Sequence, residues 1–210
     1  MSVAAGAGCR LILASGNAGK LREYQVLAAG HALELVLLPG FADVPEFPED
    51  APTFAENAAG KAIYYSRHCE GLVFADDSGL AVPSLRGAPG VLSARYAGPR
   101  ASSEARNEKL LGAMRELRGA ERAAYFVCVI AAARAGRCEI VVSAKVDGEI
   151  LDAPRGSGGF GYDPVFFFPE LGKGFAELSA DEKNVHSHRG KAFRRFMAVL
   201  ERAEPKRLSS

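Results

Sequence analysis

No apolar run in the sequence approaches the roughly 20 residues that cross a bilayer as a helix. Residues 1–8 are small and lack the apolar core of a secretory signal. Charge of one sign is also missing. Lys and Arg number 26 against 25 Asp and Glu, a net of +1, too little excess to grip a nucleic-acid duplex. A small anion stays within reach of a few well-placed cations. Cysteine is scarce: Cys9, Cys69, Cys128 and Cys138 never fall in a C-x-x-C spacing. A structural zinc site fits that spacing poorly. Reduced thiols in a soluble, cytoplasmic protein are the expectation. Internal repeats and a dividing linker are absent too.

What is present is an ordinary globular balance, 48% apolar and 24% charged over 210 residues. That length suits one domain over 1–210, with 1–9 and 204–210 as flexible ends. The pattern alternates. Short apolar runs at 11–14, 33–38 and 72–75 read as buried strands. Between them, Leu21, Tyr24 and Leu27 or Ala28 share a helix face that Gly30 would stop. Thr53-Phe54-Ala55-Glu56 is a capping box opening a helix to about His68. Residues 83–98 hold too much Gly and Pro for regular structure. Ser102 or Ser103 caps a helix whose Leu110, Leu111, Met114 and Leu117 face inward. Residues 124–133 and 139–146 read as a hairpin turning at 134–137. After a glycine-rich loop at 156–163 and an apolar run at 165–168, Ser187 caps a last helix with Phe193, Phe196, Met197 and Leu200 inward. Strand–helix units plus a hairpin imply an α/β fold with a mixed sheet.

Four polar clusters sit at the ends of these elements, where α/β proteins place ligands. Ser15-Gly16-Asn17-Ala18-Gly19-Lys20 joins a strand to a helix, offering backbone amides and a lysine to an anion. It is no Walker A loop, which would need Gly at Ala14 and a hydroxyl at Leu21. Asp76-Asp77 ends a strand. Adjacent carboxylates repel, and a cation such as Mg²⁺ relieves them; a plain Asp-Asp-Ser-Gly turn is the alternative. Alternation along a strand sends the two side chains different ways. Glu46, Glu49, Asp50 and Glu56 are further acids, with Glu56 drawn to its own cap. Asn57 and Lys61, four apart, share a helix face.

The third cluster is Gly156-Ser157-Gly158-Gly159-Phe160-Gly161-Tyr162-Asp163-Pro164. Its amides are open, Phe160 and Tyr162 offer rings for a purine, and Asp163 is available to a base edge or ribose. The fourth runs from Lys183 to Ser187-His188-Arg189-Gly190. Cations in the first turn of a helix oppose its dipole, and a bound anion reverses that penalty. A metal held by His186 and His188 is the weaker rival.

Taken in order, these motifs resemble the inosine triphosphate pyrophosphatase family, enzymes that clear deaminated purine nucleotides. The matching stretches are Leu13 to Lys20, Thr53-Phe54-x-Glu56-Asn57-Ala58-x-x-Lys61-Ala62 and Ala75-Asp76-Asp77-Ser78-Gly79-Leu80. They continue with Gly87-Ala88-Pro89-Gly90-x-x-Ser93-Ala94-Arg95-Tyr96, Gly158 to Pro164, and Ser187-His188-Arg189-Gly190. The resemblance implies a homodimer with an elongated central mixed β-sheet flanked by helices, in two lobes with an intervening cleft. It implies that Ser15, Gly16, Asn17, Ala18, Gly19 and Lys20 hold a triphosphate, with Lys61 and Ser78 also touching substrate. Asp77 would bind Mg²⁺ and act as general base with Asp76 beside it, and Glu46 or Glu49 would complete the metal site. Phe160, Gly161, Tyr162, Asp163, Lys183, His188 and Arg189 would surround the base and phosphates. Ser15 stands where the family more often has Thr, and 47–52 is richer in proline than the usual loop.

The reaction so implied is hydrolysis of ITP, dITP or XTP to the monophosphate and pyrophosphate by attack of water at the α-phosphorus. A donor aimed at O6 of the purine would reject adenine; the amides of 160–163, His188 and Arg189 are the candidates. Two other readings are a kinase or ATPase with a P-loop-like turn, and a nucleotide sensor without turnover.

Overall fold

The computed structural model describes residues 9–203. The expected flexible ends therefore lie outside the described residues, except Cys9, which opens a strand. Seven strands form one sheet in the order β2-β1-β3-β4-β5-β6-β7. They are β1 (Cys9–Leu13), β2 (Leu33–Leu37), β3 (Leu72–Ala81), β4 (Ala123–Arg134), β5 (Arg137–Ile150), β6 (Phe166–Phe168) and β7 (Lys173–Gly174). β1 runs parallel to β2 and β3, whereas β6 is antiparallel to β5 and β7. The sheet is mixed, as expected. Five helices accompany it among the described residues: α1 (Ala18–Ala28), α2 (Phe54–Tyr65), α3 (Ser103–Ala113), α4 (Ala180–His186) and α5 (His188–Ala203).

The chain divides into two compact units with interleaved segments. Among the described residues the first comprises 9–77, 129–143 and 192–203. Its core is aromatic. Tyr24 of α1 meets Phe74 of β3 edge-on at 5.1 Å, and Phe193 and Phe196 of α5 close on the same ring at 6.4 and 5.7 Å. Such pairs each add about 0.5–1.5 kcal/mol beyond the area they bury. Residues 72–75 of β3 are buried on both faces, which is why they read as an unbroken apolar run and not as an alternation.

In this unit β4 and β5 join through Ala135 and Gly136 at φ 48° and 77°. Two successive left-handed residues match the twist of a tight hairpin.

The second unit comprises 78–128 and 144–191. Phe126, Phe166 and Phe175 pack together there at 4.6 to 5.6 Å, with Leu110 and Met114 of α3 in the same cluster. Arg122 is buried yet fully used: its Nε donates to Ile150 O at 2.7 Å, Nη2 to Leu151 O at 2.7 Å and Nη1 to Met114 O at 3.0 Å.

Several boundaries differ from the sequence reading. β3 does not stop at Ala75 but runs through Asp76-Asp77-Ser78-Gly79 to Ala81, so the turn alternative for that segment falls. Two 3₁₀ turns, Pro83–Leu85 and Gly90–Arg95, interrupt the stretch read as irregular. α1 ends at Ala28, two residues before the glycine expected to stop it. α4 and β7 carry too few residues to register a period, and the sequence reading passes over both.

Candidate functional site

The acidic end of the site forms in the first unit. Asn17, in extended conformation, is the N-cap of α1; its Oδ1 accepts from Gly19 N at 2.9 Å and Lys20 N at 3.1 Å. Ser15 Oγ accepts in turn from Asn17 N at 3.2 Å. Two amides expected to face a phosphate are thus held by the cap, while Gly16 and Ala18 lie exposed. Lys20 Nζ reaches Asp76, 3.1 Å from Oδ2 and 3.3 Å from the carbonyl.

Helix α2 supplies the opposite wall of this cluster. Thr53 Oγ1 accepts from Glu56 N at 3.2 Å and donates to Glu56 Oε2 at 2.7 Å, so Glu56 is spent on the cap as expected. Lys61 is buried; its Nζ donates to Asp76 O at 3.3 Å and pairs with Glu49. Burial works to discharge Lys61, but Glu49, then Asp76 and Asp77, hold its pKa above the ordinary value. Glu46 and Asp50 are exposed, whereas Glu49 is drawn into the cluster. That geometry separates the two glutamates that the sequence left level.

Asp76 and Asp77 are both buried. Strand alternation separates their roles. Asp76 is tied to Lys20, whereas burial pushes the Asp77 carboxyl up from 3.8 to about 6. Lys20 lowers it, Glu49 raises it, and Lys61 and a hydrogen bond from Asn57 lower it. Among the described residues no group of three His, Cys, Asp or Glu is gathered as a ready metal cage. Asp77 and Glu49 remain as a coupled pair of carboxylates. That donor set fits Mg²⁺, which takes one or two carboxylates and fills its octahedron with water and phosphate oxygens.

The second unit holds a cluster of different character. Gly159, at φ 73°, lets the loop fold back onto Asp163; a Cβ there would stand 2.2 Å from Asp163 Oδ2. That oxygen accepts from Phe160 N at 2.8 Å and from Lys183 Nζ at 2.7 Å. Lys183 Nζ also lies 5.0 Å from the centre of the Phe160 ring, and the Arg189 guanidinium 5.5 Å from it. Arg189 donates to Ser78 Oγ at 2.9 Å. His188 is buried and stacks on Phe126 at 4.6 Å and 8°. Ser187 Oγ caps α5 by accepting from Gly190 N at 3.1 Å.

Two expectations change here. The Tyr162 ring is buried in the core with its hydroxyl donating to Ser93 O at 2.9 Å, so Phe160 is the ring left for stacking. The Phe160 amide is committed to Asp163, which removes it from the donors available to a base. The rival metal site at His186 and His188 finds no support, since each ring packs on a phenylalanine, Phe168 and Phe126. The sequence reading missed Asn107 of α3, whose buried amide donates to Gly161 O at 3.1 Å and steadies the glycine-rich loop. A polar residue one helical turn before Leu110 and Leu111 was its only signal.

Comparison with known proteins places these clusters in context. The model of the Ham1 family matches residues 11–199. The dITP/XTP pyrophosphatase of Geobacillus kaustophilus is 51% identical over 185 residues, 87% of this chain and 89% of that protein. An enzyme of the same name from Thermus thermophilus is 46% identical over 95% of this chain and 96% of its own length. Among solved structures, a HAM1 protein from Coxiella burnetii superposes with a TM-score of 0.83 at 38% identity, covering 92% of this chain and 99% of that one. The Staphylococcus aureus Ham1 protein gives 0.81 at 38% identity, covering 91% and 98%.

Proposed function

This chain belongs to the Ham1 family, and from that membership we propose that it hydrolyses non-canonical purine nucleoside triphosphates, ITP, dITP and XTP, to the monophosphate and pyrophosphate. Relatives about half identical over most of the chain carry the name dITP/XTP pyrophosphatase, and the motif resemblance points the same way. The observation that carries the chemistry is the placing of Asp77: a buried carboxyl set among Lys20, Lys61 and Glu49.

Each cluster answers one part of such a substrate. Lys20 and Lys61, with the exposed Gly16 and Ala18, take the triphosphate, and Asp77 with Glu49 would hold the divalent cation. Mg²⁺ bound there supplies positive charge to the phosphate oxygens. Asp77 orients a water and takes its proton as the water oxygen bonds to the α-phosphorus. The bond from that phosphorus to the bridging oxygen breaks, and pyrophosphate leaves with the electron pair. Lysines fixed beforehand stabilise the developing charge without reorganising. In the second unit Phe160 stacks on the purine, and Lys183, His188 and Arg189 supply donors for a 6-oxo group, which adenine cannot satisfy. Asp163 serves by holding Phe160 and Lys183. The active protein is a homodimer in this reading.

Incubation with ITP, dATP and GTP plus Mg²⁺, with separate assays for pyrophosphate and orthophosphate, tests the reading. Pyrophosphate from ITP and none from dATP is expected; GTP shares the 6-oxo group, so its result reports on the 2-amino position. Orthophosphate would point to a γ-phosphate hydrolase, phosphoryl transfer to an added acceptor to a kinase, and tight ITP binding without turnover to a sensor.

A further inference from the structure

One face of α2 is occupied along its whole length by the acidic loop that precedes it. Asn57, Gly60, Lys61 and Tyr64 recur at helical spacing i, i+3, i+4 and i+7, and each touches residues 47–51. Asn57 is fully buried. Its Oδ1 accepts from Ala51 N at 3.0 Å, and its Nδ2 donates back to Ala51 O at 3.4 Å. Its side chain also hydrogen-bonds Asp77. An asparagine amide has one acceptor oxygen and two donor hydrogens, and these three bonds use all of them. Gly60 gives the Phe47 ring its place: a Cβ there would stand 2.6 Å from Phe47 Cζ. Tyr64 packs on the same ring at 5.7 Å, and Tyr65 OH accepts from Phe47 N at 3.3 Å. Lys61 pairs with Glu49, which lies between Phe47 and Ala51.

We infer that this face of α2 is a template that preforms the Asp77–Glu49 carboxylate pair for a divalent cation, with Asn57 as its positioning residue and Gly60 as the seat that fixes Phe47. Asn57 bonds both the loop that carries Glu49 and the carboxylate of Asp77. It touches no reacting atom and acts through those two acids. The inference rests on the metal assignment of the proposed function. Groups that orient metal ligands commonly affect metal affinity or activity by about 10- to 100-fold.

The test compares the full-length protein with Asn57→Ala, Gly60→Ala and Gly60→Ala combined with Phe47→Leu. Mn²⁺ binding without nucleotide is followed by electron paramagnetic resonance, and the Mg²⁺ concentration for half-maximal pyrophosphate release from ITP is measured alongside. Both single variants should weaken metal binding and raise the Mg²⁺ requirement by about 10- to 100-fold, with KM for ITP at saturating Mg²⁺ little changed. Alanine favours a helix over glycine, so Gly60→Ala should keep its melting temperature while losing metal, a split that mere destabilisation does not produce. The shorter leucine should recover most of the metal affinity in the double variant. Wild-type metal binding in both single variants would overturn the template, as would a Gly60→Ala loss that Phe47→Leu leaves unrelieved. If Asn57→Ala does not fold, the Gly60 pair decides alone. Wild-type protein that binds Mn²⁺ but spares ITP defeats the proposed function and leaves the template standing. Wild-type protein that cleaves ITP but binds no Mn²⁺ without nucleotide defeats the template.

Discussion

Around Asp77, the three carboxylates of Asp76, Asp77 and Glu49 meet the two ammonium groups of Lys20 and Lys61. Around Phe160, the single carboxylate of Asp163 meets Lys183, and Arg189 stands by the same ring. The first cluster is therefore short of positive charge and the second short of negative charge. The materials differ as well. The first is built on a central strand, two helices and the loop that carries Glu49, with both aspartates buried. The second hangs on a glycine-rich loop pinned by hydrogen bonds from α3 and to residue 93. A buried excess of carboxylate calls for a cation, whereas an aromatic ring flanked by cations suits a flat, oxygen-bearing base.

The sharpest way to break this contrast is at Asp77. Asp77→Ala should lose about 10²–10⁴-fold in kcat for ITP while KM moves far less, read by pyrophosphate release. Near-normal turnover would remove Asp77 as the base.

Stability probes the same residue in the opposite sense. The folded pKa of Asp77, about 6, exceeds its unfolded value near 3.8, so the folded state binds more proton between them. The stability this group lends is complete below about pH 4 and lost as pH rises through 6. Metal-free Asp77→Asn should therefore be more stable than wild type at pH 8 by up to about 3 kcal/mol. Denaturant titrations should show the gap closing at acid pH, and added Mg²⁺ should stabilise wild type more than the variant.

At the other cluster, Phe160→Ala should weaken ITP binding by about 1–3 kcal/mol, the range for one base stacked on an aromatic ring. It should appear mainly in KM and leave the Mg²⁺ requirement unchanged. A shift in metal requirement would show that the two clusters do not divide the substrate as proposed.

The smallest effect belongs to the hairpin. Ala135 holds φ 48°, a conformation that costs an L-residue about 1–2 kcal/mol and that asparagine tolerates better. Ala135→Asn should raise the melting temperature slightly with unchanged ITP turnover.

Much of this was readable in the residues. Periodicity gave α1, α2, α3 and α5, because each buries a stripe of apolar side chains. The apolar runs mark β1 and the start of β3, because a strand covered on both faces carries no polar alternation; β2 is a strand as expected but not a buried one, since it lies at the sheet edge with Glu34 and Leu37 exposed. The sequence reading ends β3 at Ala75, since two buried aspartates within a central strand look like a turn until Lys20 is seen to pair with Asp76 and Lys61 to bond its carbonyl. The site residues could be named from motif, but not their division of labour. Whether Glu46 or Glu49 turns inward depends on how Phe47 seats on Gly60, and whether Tyr162 is open depends on Ser93, 69 residues away. Neither contact leaves a local mark in sequence.

Hydrolysis of ITP in ¹⁸O-labelled water with Mg²⁺, followed by mass spectrometry of both products, probes the central claim at the bond itself. Attack at the α-phosphorus places one labelled oxygen in inosine monophosphate and none in pyrophosphate. Label in the pyrophosphate, or orthophosphate as the labelled product, would contradict the account.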